Sequence, residues 1–154
     1  MKPMSEKLSS FVTISPQFSR SIRIDMDYGR QDALDGYICQ GTALHLLENI
    51  SLQILKTKQR AFTWTGPYGG GKSSLALLLC SLVSPDKSLR DKAKNILNLP
   101  SNSPIIQAFY PGQQGWMVIP IVGNSDSIIN RLAISLSNLT DVTFSKPPQR
   151  IGSY

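Results

Sequence analysis

GPYGGGKSS, residues 66–74, decides how this chain is read. Gly66-Pro67-Tyr68-Gly69-Gly70-Gly71-Lys72-Ser73 fits G-x-x-x-x-G-K-[ST] at every fixed position. A β-like apolar run, RAFTWTG (60–66), leads into it, and SSLALLLCSLV (73–83) reads as a buried helix leading out. A loop that wraps a phosphate must aim successive backbone N–H groups inward, which needs conformations and close approach that side chains obstruct. A helix starting near Lys72 adds free N–H groups and the positive end of its dipole. Lys72 is then a mobile charge for the β- and γ-phosphates of ATP and the one catalytic candidate. The Ser73 hydroxyl is placed to bind Mg²⁺, and Ser74 backs the α-phosphate side. Tyr68 is placed either to pack on a ribose or to shield the loop.

Outward from the loop, SIRIDMDYGR alternates Ile22, Ile24 and Met26 with polar neighbours, which predicts a short strand or extended arm. FVTISPQF (11–18) reads as extended. Thr42 to Leu55 carries Leu44, Leu47, Ile50 (or Ser51), Ile54 and Leu55 at helical spacing, with Thr42 as N-cap. SPDKSLRDKAKNILNL predicts a helix capped by Ser84, with Pro85 in its first turn and a stripe of Leu89, Ala93, Ile96 and Leu97. Residues 100–115 read as a loop, WMVIPIVG (116–123) as a buried strand, and Asp126 to Leu139 as a further helix. Strands alternating with helices predict an α/β fold, a parallel sheet covered on both faces.

The chain has 154 residues, 41% of them hydrophobic and 17% charged, a globular composition. Two cysteines, Cys39 and Cys80, and a single histidine, His45, argue against a zinc site and a disulfide framework. Cys80 lies in an apolar run and reads as a small buried hydrophobe. No signal-like segment opens the chain, and Leu75 to Val83, the longest apolar run, is too short to span a bilayer, so the expectation is a cytoplasmic protein without a membrane partner. The net charge of +6 permits an anionic partner, but nucleic acid is weakly supported. Lys87, Arg90 and Lys94 recur at helical spacing, yet Asp86 and Asp91 interrupt that face and no aromatic residues interleave with it.

The 66–74 motif, with its flanking strand and helix, is that of P-loop NTPases. The layout resembles the AAA+ and STAND-like branches, in which an arm and a helix precede the loop. Residues 28–43, YGRQDALDGYICQGTA, are the arm by that likeness. The string from SIRIDMDYGR through RAFTWTGPYGGGKSS also resembles the start of large ATP-binding proteins of bacterial anti-phage defence loci, over residues 18–140. The resemblance implies a three-layer fold around a parallel sheet, an ATPase, and Tyr37 and Ile38 lining an adenine pocket; read on their own, those two fit a core position under the helix equally well. The domains expected are a leader (1–17), an arm and helix covering the nucleotide site (18–59), the first part of the NTPase core (60–145), and a tail or linker (146–154).

An ATPase needs an acidic residue at the end of a neighbouring strand for Mg²⁺ and a group that polarises the attacking water. WMVIPIVG ends in Gly123-Asn124; Asp126 fits a helix start better than a metal site, and Asp141 follows no apolar run. Arg131 and Arg150 are finger candidates by type alone. Two strands make a poor sheet, so the expectation is the N-terminal part of a longer protein, whose remaining domains and oligomeric contacts complete the ATPase. The alternative is a small nucleotide-binding interaction module without hydrolysis.

Overall fold

A computed structural model describes residues 7, 10–13, 21–109, 113–123 and 127–140. Asp126, Asp141, Arg150, most of the leader and the tail lie outside these. Among the described residues there are six helices: α1 (Ile24–Asp27), α2 (Gly41–Thr57), α3 (Lys72–Val83), α4 (Lys87–Leu97), α5 (Pro104–Phe109) and α6 (Ile128–Thr140).

The expectation of an α/β fold with a parallel sheet is corrected: no strand forms among the described residues. Residues 60–67 and 115–123 run as irregular chain with no ladder between them. Burial does alternate in the first segment: Phe62 and Trp64 lean on the core, while Ala61, Thr63 and Thr65 are exposed. A strand, however, is made by its ladder, and a ladder needs a second extended segment alongside. The second segment is tied elsewhere, its Trp116 N–H donating to Val83 O at the end of α3 (2.7 Å). It is also less buried than a central strand, with Trp116 and Met117 both exposed.

The alternating SIRID stretch is corrected too. It turns into α1, because the Asp27 carboxylate folds back to accept the Arg23 backbone N–H (2.8 Å) and is buried there. That local bond outweighs the alternation, and Met26 is left exposed.

α2 follows its predicted stripe, with Leu47, Ile50 and Ser51 buried, but begins one residue before Thr42. The N-cap position is Gln40, whose side chain makes no cap bond. α2 ends where Lys58 adopts a left-handed conformation (φ +60°) and donates its N–H to Ile54 O. α4 buries Leu89, Ala93 and Leu97 as expected, although its cap is Asp86 rather than Ser84. Asp86 accepts the Ser88 N–H (2.8 Å), while the Ser84 hydroxyl accepts from the Tyr28 hydroxyl (3.0 Å) and the Asp86 N–H (3.1 Å). Pro85 therefore precedes the helix instead of opening it.

α5 occupies part of the stretch expected to be a loop. Ser103 accepts the Ile106 N–H on its hydroxyl (3.3 Å) and the Gln107 N–H on its carbonyl (3.0 Å), and Pro104 fills the first helical position, where a missing N–H costs nothing. α5 packs on α2, and α4 on α3. One core cluster joins Leu34, Leu47 and Ile50 to Leu75, Leu78, Leu82, Leu97, Ile105 and Phe109, so it draws on both sides of residue 60. α6 leaves Ile128, Ile129, Leu132 and Ile134 exposed.

Candidate phosphate-binding site

The 66–74 loop is shaped by its glycines. Gly69 and Gly71 have φ of +78° and +73°, the left-handed region where side chains are strained. The Gly70 N–H donates to Pro67 O (3.3 Å), and a Cβ on Gly70 would lie 3.2 Å from that same oxygen. Gly71 stands at the N-cap of α3, and the first helical bond from that end runs from Leu75 N–H to Gly71 O (3.0 Å). The N–H groups of Lys72, Ser73 and Ser74 thus precede the helical ladder. No side chain caps this end, and no acidic residue lies in its first turn. The Lys72 ammonium folds over the loop and donates to Gly66 O (2.9 Å) and Pro67 O (2.7 Å).

Two recesses flank the loop. One, of about 500 Å³, is lined by Tyr37, Ile38, Gln40, Thr42 and Trp64 together with Gly66, Pro67 and the 69–72 backbone. The other, of about 400 Å³, is lined by Ser21, Ile22, Asp35, Tyr68, Ser73 and Ser74, again with Gly69 to Lys72. Tyr37 and Lys72 belong to both. Every residue expected from the sequence to contact nucleotide or metal therefore lies on one recess or the other. Gly66, Pro67 and Ile38 belong to the first alone; Tyr68, Ser73 and Ser74 belong to the second alone.

Exposure separates the two arm residues. Ile38 is 79% exposed, so it is not a core residue under the helix, whereas Tyr37 is half-buried against the core and burial pushes its phenol above the ordinary range. Tyr68 is 98% exposed and shields nothing in the loop. Asp35, Gln40, Thr42 and Trp64 were not expected at the site. The signal for Asp35 is the Asp35-Gly36 pair, a turn signature, with Gly36 at φ +69°.

Other candidates lie elsewhere. Arg131 lines a separate cavity with Asp25 and Tyr28. Burial raises both thiols above their ordinary value, which suits unreactive cysteines. Arg90 is buried and cannot belong to a basic face with Lys87 and Lys94. Its guanidinium donates to Ser84 O (2.7 Å), Pro85 O (2.8 Å) and Gln113 O (2.7 Å). No helix among the described residues is long and apolar enough to cross a membrane. No family model, no curated protein and no solved structure matches the chain.

Proposed function

We propose that this chain binds ATP with Mg²⁺ through Gly66 to Ser74. The observation that carries the reading is a loop bent by left-handed glycines into an uncapped α3, with the Lys72 ammonium folded over it. Free N–H groups, a helix dipole and an ammonium converging on one loop make a phosphate site. Both recesses fall within the range of small-molecule sites, about 300–1,000 Å³. The half-buried ring of Tyr37 and the apolar wall of Ile38 and Trp64 offer a base its stacking surface. Mg²⁺ would be held by the Ser73 hydroxyl, and when bound it supplies charge neutralisation to the phosphates. The resemblance extends the proposal to ATPase activity of the intact protein, in a prokaryotic defence or DNA-associated assembly. The alternative, a nucleotide-gated interaction module, is favoured by segment 116–123, which carries no carboxylate.

The test is a titration with fluorescently labelled ATP. Lys72→Ala should weaken binding roughly 10- to 100-fold, the worth of one or two charge-assisted hydrogen bonds. Equal affinity in the variant and the natural chain would remove the assignment.

A further inference from the structure

We propose that Asp35 is the acidic partner of the Mg²⁺ site, a carboxylate supplied from before the loop. The inference rests on the nucleotide-binding reading above. The metal's serine, Ser73, opens on the 400 Å³ recess and not on the other. Among the described residues lining that recess, Asp35 is the one carboxylate.

The turn carrying Asp35 is held in place. Leu34, beside it, is buried in the core. Asp35 N–H donates to Asp32 O (3.0 Å), and Tyr37 N–H donates to Leu34 O (3.1 Å). From α4, the Lys92 ammonium bonds both the Asp35 carboxylate and Gln31 O, tying the turn to a second element.

The chemistry suits Mg²⁺ in particular. This ion keeps several of its waters and is bound by one or two carboxylates plus substrate phosphates, not by a dedicated cage. A serine hydroxyl, one carboxylate and the nucleotide's own oxygens meet that requirement. The described residues contain no cluster of three acidic, histidine or cysteine ligands, and none is needed. A dication between the Asp35 carboxylate and the nucleotide's phosphates would couple nucleotide affinity to the metal.

The experiment measures affinity for labelled ATP in Mg²⁺ and in EDTA, with Mn²⁺ binding to the nucleotide-loaded chain followed by electron paramagnetic resonance. Asp35→Asn should lose roughly tenfold in Mn²⁺ affinity, as removal of a ligand's partner typically does. It should also lose the gain that Mg²⁺ confers on ATP binding, while its affinity in EDTA stays level or rises. Retention of that gain by Asp35→Asn overturns the proposal. So does an equal loss in both buffers, which would assign Asp35 to the ribose hydroxyls or to the fold. A natural chain that binds ATP in neither buffer removes the nucleotide reading itself, an outcome distinct from failure of Asp35 alone.

Discussion

Two residues that take no part in the site show how single positions hold this chain together. Gly115 has φ +75°, and a Cβ there would lie 2.3 Å from Ser84 O and 2.4 Å from Pro85 Cα. Only glycine lets the backbone pass the end of α3 closely enough for the Trp116 N–H to reach Val83 O. Gly115→Ala should destabilise by about 3 kcal/mol, combining left-handed strain with overpacking against rigid backbone. A urea midpoint close to that of the natural chain would contradict this. Arg90 acts at the same corner, where its three carbonyl contacts gather the α3–α4 connection and Gln113 around one buried cation. Arg90→Met should cost about 2–4 kcal/mol through lost charge-assisted hydrogen bonds and stranded carbonyls. Arg90→Lys should fail to restore it, because an ammonium cannot reproduce the planar fork. Thermal unfolding of both variants checks the pair, and full stability in Arg90→Lys would mean that charge alone suffices.

At the scale of elements, helix ends carry the chemistry. α3 is left uncapped, with its N–H groups free for an anion, whereas α4 is closed by its own carboxylate. The backbone N–H of Ser88 is the main cause that holds the Asp86 carboxyl below its ordinary value of 3.8. Because the folded value is the lower one, the stabilisation is present above the unfolded pKa and is lost as pH falls through the depressed value. Asn caps a helix without a charge, so the natural chain's advantage over Asp86→Asn should shrink as pH falls from neutrality through and below the ordinary carboxylate range. Stability of the two proteins by far-UV circular dichroism across that range is the measurement. An advantage that does not change with pH would show that the Asp86 charge contributes nothing. The α4 stripe of Leu89, Ala93 and Leu97 was legible because helical spacing places those residues on one face. α5 was obscured by Pro100, Pro104 and two turn-forming serines, although Ser103-Pro104 is itself a helix-start signal.

For the whole molecule, the catalytic inventory limits what the chain does alone. The water-polarising group of an ATPase has no candidate on segment 116–123. The isolated chain should hydrolyse ATP barely above background, since water positioning and charge neutralisation carry most of this chemistry. A turnover near one per second, at about the low end for kinases, would require a base that this reading lacks. Among the basic residues, Arg90 is buried and Lys92 is committed to Asp35. What the sequence by itself determined was local. Glycines at 69–71 dictate a loop that side chains could not adopt, and apolar residues at helical spacing dictate α2, α3 and α4, because helical hydrogen bonds join residues four apart in the chain. What only the tertiary structure decided was non-local. Whether the 60–66 and 115–123 segments pair depends on where each is tied, and Val83 holds the second one by Trp116. Arg90 looked like one member of a basic stripe until Ser84, Pro85 and Gln113 offered it three carbonyls. Asp35 reached the Ser73 side of the loop because the core holds Leu34 and α4 supplies Lys92, contacts that no spacing within the chain encodes.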